Sequence, residues 1–270
     1  MNAFGYDFVQ RALAAVLLVA PVLGGLSHLI VARRLSFFTA AVAQSALAGV
    51  CVAVWLGESV SAPWAGLFGT CVCFALGLTF VRRQAGLHED ASVGVMLPLV
   101  LAAGVCLLVV VTKRFNIHQL ESVLFGSVLT VTSADLWFVA LTSVVAGAFL
   151  WPGYNRLLVH SVESTLVAPR RFVWLDYGFS VAVAVLVVGA VKLFGALLAQ
   201  AMLTLPAVIG RNVARSLRGV LVSSVLAVAL AGVCGVSLST VVNVPSGASV
   251  ALVLGLFFAI SFAFSGRRKR

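Results

Sequence analysis

Residues Gly195 to Gly219 read GALLAQAMLTLPAVIGRNVARSLRG. The stretch starts apolar, meets Pro206, and turns basic within one short run. Proline lacks the backbone donor and crowds the preceding turn, so the apolar run is expected to break there. Arg211, Arg215 and Arg218 are four and three positions apart, so a short helix would carry them on one face. A proline-broken segment that brings a basic amphipathic turn to the membrane surface has the build of a docking device. The same spacing also suits the end of an ordinary span with its flanking arginines.

Composition sets the class. Of 270 residues, 62% are hydrophobic and only 10% charged, with a mean hydropathy of +1.15. A soluble domain carries about 25% charged residues, so this is an integral membrane protein. A span takes about 20 apolar residues, leaving room for roughly eight to nine with short loops. No stretch is long and polar enough for a separate soluble domain, so residues 1–270 read as one transmembrane domain. The net charge of +10 does not point to nucleic acid, because the basic residues lie in pairs at span ends. Cys51, Cys71, Cys73, Cys106 and Cys234 all lie in apolar runs, and Cys71 and Cys73 would point to nearly opposite faces of a helix. They read as small packing residues, not disulfides or metal ligands. The N-terminus lacks a small-residue cleavage site and does not read as a signal peptide.

Nine membrane-embedded segments are expected, about Ala12–Ala32, Ser36–Leu56, Pro63–Val81, Ala91–Thr112, Leu136–Trp151, Phe172–Leu193, Gly195–Leu205, Val220–Val242 and Ser249–Phe264. The seventh is short and continues into a coupling run at 206–218. Ser122–Thr132 is too short to span and reads as a re-entrant or interfacial helix. Residues 152–171 mix apolar and charged positions in the pattern of an amphipathic surface helix. Asn243–Gly247 reads as a turn.

Charge sets the expected orientation. With the N-terminus outside and the C-terminus cytoplasmic, the inner side holds Arg33, Arg34, Arg82, Arg83, Arg156, Arg170, Arg171, Arg211, Arg215, Arg218, Arg267, Arg268, Lys269 and Arg270, which is 14 of the 18 basic residues. Arg11, Lys113, Arg114 and Lys192, the other 4, fall outside. The positive-inside rule favours this arrangement and places the coupling run in the cytoplasm.

The chain carries no GxxxxGK[ST] run, so it is not expected to cradle ATP phosphates itself. It also lacks HExxH and GxSxG. No nucleophile–base pair or metal triad sits at mid-span, which disfavours an intramembrane enzyme. His28 lies in the first span, where a helix-to-helix hydrogen bond is the ordinary role.

The Gly195–Gly219 run resembles the cytoplasmic coupling segment of ABC importer permeases that move zinc, manganese or iron. That family carries G-V-L-L-V-x-A-L-L-x-x-P-A-x-x-A-R-x-x-A-R-S-L, and here Pro206-Ala207, Arg211 and Ala214-Arg215-Ser-Leu217 fall in step with it. Arg33-Arg34-Leu-Ser-Phe-Phe38 resembles the family's R-R-M-S-Y-F, and Glu89-Asp90-Ala-Ser-Val-Gly94 its E-D-T-A-I-G. Leu124-Phe-Gly126 with Ser133-Ala-Asp135 resembles L-F-G-x-I-L-x-V-S-x-x-D, and Val244-Pro-Ser-Gly-Ala248 resembles L-P-T-G-P. Each fragment is weak alone, and their order and spacing together are specific. The resemblance implies an all-α integral membrane protein, a polytopic helical bundle with the type II importer permease fold, related to cobalamin and siderophore permeases, in the bacterial inner membrane. It also implies an ATPase dimer binding ATP and magnesium, a second permease subunit, and an extracellular metal-binding protein. No cofactor is expected on this chain. Pro206, Ala207, Arg211, Arg215 and Arg218 would then couple to the ATPase.

One departure stands out. After R-R-M-S-Y-F the family reads G-D-x-x-x-H, a carboxylate and an imidazole one turn apart that suit manganese, zinc or iron. Here Ala40 and Gln44 occupy those two positions. Ser127 stands where some members carry Asp or Asn. Three explanations stay open: a second, different permease keeps the ligands; the site lies elsewhere; or metal passes through weak polar contacts such as Thr39, Gln44, Ser45, Ser127 and Thr204. Small polar residues in spans also serve as helix-packing glue. Another cargo in the same architecture, such as a metal chelate, would explain the lost ligands, and a non-transporting membrane component is the rival of a different class.

Overall fold

The computed structural model describes residues 7–58, 63–86, 89–112, 135–148, 173–242 and 244–268. The segments expected at Ser122–Thr132, which holds Ser127, and at 152–171 lie outside them. The described residues form helices and turns without strands. In chain order the helices are α1 (Asp7–Ala32), α2 (Ser36–Trp55), α3 (Trp64–Gln84), α4 (Glu89–Thr112), α5 (Asp135–Ala148), α6 (Val173–Phe194), α7 (Ala196–Val213), α8 (Leu217–Val242) and α9 (Ser246–Arg268). Seven of them, all but α5 and α7, are long and apolar enough to cross a bilayer. The all-helical class and the nine expected segments agree with this architecture.

Helix α2 sits at the centre. Its Ala-rich sequence carries no polar face, and its residues from Phe38 to Val54 are buried almost throughout. Small side chains let neighbouring backbones approach closely, and α3, α4, α6 and α7 all pack on α2. Helices α1, α7, α8 and α9 form a second group, with α1 wedged against α7 and α8. Helix α7 joins the two groups.

Two turns fix the entries into these helices. Arg34 closes α1 in the left-handed region at φ 59°, where glycine is usual. The Leu35 N–H donates to Ile30 O (2.8 Å) and the Arg34 N–H to Val31 O (3.2 Å), the crossed pair of a Schellman cap. Gly195 separates α6 from α7 at φ 83°, ψ 163°, a conformation essentially reserved for glycine. That single residue turns the chain back so that α7 can lie against α2 and α6.

The two ends of the bundle differ in charge. At one end Asp176 of α6 is buried between two arginines. Arg33 Nη2 donates to Asp176 Oδ1, and Arg83 Nη1 donates to Asp176 Oδ2 at 3.1 Å. The Arg33 guanidinium also lies 4.6 Å from the centroid of the Phe179 ring. One turn further, the Thr79 and Ser180 hydroxyls meet at 2.7 Å. A buried charge must be paired, and this carboxylate ties the α1–α2 turn and the end of α3 to the start of α6. At the opposite end Trp64 stacks on Phe138 at 3.9 Å, and Lys192 Nζ lies 5.2 Å from the Trp64 ring centroid.

Candidate functional site

The residues expected to couple to an ATPase lie where α7 hands over to α8. Helix α7 runs unbroken from Ala196 to Val213 with Pro206 inside it, so the expected break at Pro206 does not occur. Serines from both neighbouring helices serve the backbone around the proline. The Ala207 N–H donates to Ser27 Oγ of α1 at 2.9 Å. Ser224 Oγ of α8 lies 3.0 Å from Pro206 O and 2.8 Å from Val220 O, and offers its one proton to these carbonyls. Both serines are fully buried, so a proline that would open a free helix is tolerated here.

Gly210 makes this fit possible. A Cβ built on it would lie 2.7 Å from Val220 O and 2.7 Å from Ser224 Oγ, nearer than real Cβ atoms come. The last turn of α7 therefore rests backbone to backbone on the first turns of α8. On its other side Asn212 Nδ2 donates to Ser261 Oγ of α9 at 3.1 Å.

The chain breaks at Ala214, which is extended at φ −113°, ψ 151°. Ser216 then caps α8, with its Oγ accepting the Gly219 N–H at 3.1 Å. The expected single helical face for the three arginines is therefore corrected. Arg211 lies in the last turn of α7, Arg215 in the linker, and Arg218 in the first turn of α8. All three are exposed, and this short junction presents them together. Pro206 and Ala207 are buried and shape the segment without offering a surface.

The expected path residues divide in two. Thr39 and Ser45 are fully buried, and their hydroxyls donate to Ser36 O (2.8 Å) and Val42 O (2.7 Å) of their own helix. Ser45 Oγ also lies 3.6 Å from Cys71 Sγ of α3. This pair packs α2. Gln44 and Thr204 are partly exposed, with Thr204 Oγ1 donating to Gln200 O at 3.0 Å, while Ala40 is 5% exposed. Among the described residues no three His, Cys, Asp or Glu come together as a metal site. Sequence reasoning missed Ser27, Ser224 and the role of Asp176. The one available signal was that Asp176 is the last acidic residue in the chain.

The profile of the ABC 3 transport family matches residues 5–265. The chain belongs to that family. An uncharacterised membrane protein of Synechocystis is 31% identical over 98% of this chain and 93% of its own length. A protein of Listeria monocytogenes described as a manganese transport system membrane protein is 26% identical, covering 97% of this chain and 92% of its own. Among solved structures, PsaBC from Streptococcus pneumoniae in complex with Fab matches with a TM-score of 0.79 and 26% identity, over 95% of this chain and 91% of that one. The helical architecture described above is thus that of an ABC 3 permease.

Proposed function

We propose that this chain is the membrane subunit of an ATP-driven importer of a divalent transition metal, manganese, zinc or iron. Its helices form the path, and its α7–α8 junction docks an ABC ATPase dimer. The observation that carries this reading is the exposed trio Arg211, Arg215 and Arg218, presented at the α7–α8 junction, whose incoming helix α1 and α8 pin in place. Membership of the ABC 3 transport family and the likeness to a manganese transport system membrane protein of Listeria monocytogenes support the cargo class. A second permease subunit and an extracellular metal-binding protein complete the importer, and ATP and magnesium belong to the ATPase. The distribution of basic residues supports a bacterial inner-membrane setting with the N-terminus outside and the C-terminus cytoplasmic.

A narrower reading is favoured by Ala40 and Gln44, which put no anionic ligand where the family resemblance expects one. Here the chain is the ligand-poor member of a permease pair, or its cargo is a metal chelate. One reconstitution tests both. Vesicles holding the permease, ATPase and binding protein should take up radioactive manganese or zinc only with ATP. Arg211→Glu with Arg215→Glu should abolish uptake while leaving the membrane fold intact. Coupled uptake of bare metal at the wild-type rate by that double variant would refute the docking role.

A further inference from the structure

The two arginines that close α1 are used differently. Arg33 is spent inside the fold, on Asp176 and on the Phe179 ring. Arg34 is exposed, and among the described residues its guanidinium makes no hydrogen bond or ion pair. Its backbone is left-handed at φ 59°, and it is the one non-glycine residue in that region among the described residues. A Cβ there is crowded by the following carbonyl, and glycine or asparagine holds the same turn more easily. The turn is made by the Arg34 and Leu35 N–H groups, so it needs no arginine side chain. A strained position that keeps a free cation points to a use for the side chain outside this chain. We infer that Arg34 is a second docking contact for the ABC ATPase, beside the α7–α8 junction, where it meets a carboxylate of that partner. The inference rests on the docking role proposed above for the junction.

Helix register puts Arg34 at the level of that junction. Helix α1 lies antiparallel on α8, backbone against side chain at two glycines. A Cβ on Gly24 would come 2.8 Å from Val225 Cα, and one on Gly232 would come 2.0 Å from Val16 Cγ1. Arg34 lies ten residues beyond Gly24, about 15 Å at the helical rise. In the matching direction Leu217 lies eight residues from Val225, about 12 Å, with Ser216 and Arg215 next. The α1–α2 turn therefore reaches the level of the α7–α8 linker. Helix α7 is also antiparallel to α8, with Pro206 at Ser224 and Gly210 at Val220, so α1 and α7 run in the same direction. They touch where Ser27 accepts from Ala207, and α7 continues from there to Arg211 as α1 continues to Arg34. One partner surface can thus engage Arg34 together with Arg211, Arg215 and Arg218. The planar guanidinium suits a bidentate grip on a carboxylate.

The test titrates the importer's own ABC ATPase onto the purified full-length permease in nanodiscs of dioleoyl phosphatidylcholine, with the melting temperature read beside the Kd. Arg34→Gly should melt about 2–4 °C higher, because the strain is released. It should also bind the ATPase at least about fivefold more weakly. Arg34→Asn, which tolerates the left-handed turn, should weaken binding to the same degree, and it carries the test if the glycine variant fails to fold. Arg34→Glu should weaken binding at least about tenfold. Arg11→Gln, at the other end of α1, should bind as wild type. Wild-type affinity in Arg34→Gly or Arg34→Asn overturns the inference. So does a lower melting temperature in Arg34→Gly, which would make the arginine part of the fold. A loss that appears only when phosphatidylglycerol replaces phosphatidylcholine would assign Arg34 to a lipid headgroup, and would also overturn it. Arg211→Glu with Arg215→Glu separates the two readings. Wild-type affinity in that double variant sinks the docking role of the junction, whereas release by it with no loss in Arg34→Gly sinks only the role of Arg34.

Discussion

Asp176→Asn should be among the most damaging single changes outside the cargo path. The side chain is 11% exposed and accepts from Arg33 and Arg83, whose own side chains are 8% and 23% exposed. The amide keeps the shape, removes the negative charge, and sets an NH₂ group against one guanidinium. Removing one partner of a buried pair costs about 3–5 kcal/mol, because the other charge stays buried. Arg83 is partly wetted, so water screens its share and the total falls toward about 3 kcal/mol. For a chain of this size each kcal/mol moves the melting temperature by about 2–4 °C, giving a drop of roughly 6–12 °C. The same reasoning ranks the partners. Arg33→Gln removes a deeply buried cation that also rests on Phe179, and should cost more than Arg83→Gln, which should lose only about 1 kcal/mol. The assay is thermal unfolding of the purified permease in detergent at low and high salt. Salt should hardly change the Asp176→Asn deficit, since buried pairs are weakly screened. A variant melting within about 2 °C of wild type, or an Arg83→Gln loss equal to that of Arg33→Gln, would refute the account.

Gly210→Ala should cost about 1–3 kcal/mol and depress coupled ATPase activity, because the new Cβ meets the fixed Val220 carbonyl and pushes α7 off α8. Melting and ATPase assays on the reconstituted complex check this, and a fully coupled variant would contradict the tight α7–α8 fit. Single cysteines at the exposed positions Gly57 and Val244 should react with an impermeant thiol reagent from outside, and one at exposed Gly86 should not. The reverse pattern would invert the topology. Ala40→Asp with Gln44→His should lower stability by roughly 2.5–3.5 kcal/mol without metal, since Ala40 is nearly enclosed. Manganese or zinc at about a hundred times its Kd should restore some 2.7 kcal/mol. A metal titration in which the wild type binds tightly and the double variant gains nothing would place the cargo site elsewhere.

The spans were legible because membrane helices are written locally. Ser36–Leu56 was expected and Ser36–Trp55 is found, since a long apolar run bounded by Arg33-Arg34 and by Gly57 leaves few alternatives. What the sequence hid are contacts between distant positions. Arg33 and Asp176 are 143 residues apart, and Ser27 reaches Ala207 across 180. A proline read locally predicts a broken helix, because the groups that serve the backbone around it come from α1 and α8. The linker was more accessible, since Ser216 ahead of an apolar run is an N-cap signal that outweighs the helical spacing of the arginines.

The continuity of α7 changes what the junction can transmit. A helix broken at Pro206 would let Arg211 move while the residues before the proline stayed still. The helix found is one rod, gripped by Ser27 on one side and Ser224 on the other, with Thr204 seven residues and about 10 Å along the axis from Arg211. A push on Arg211 therefore reaches Thr204 and Gln200, two partly exposed polar residues of α7, through packed backbone and not through a hinge. Ser27→Ala would remove the acceptor of a buried N–H at a cost of about 1–3 kcal/mol and loosen the grip on the α1 side. If the rod is what couples the two ends, that variant should still bind its ATPase and hydrolyse ATP, yet lose uptake.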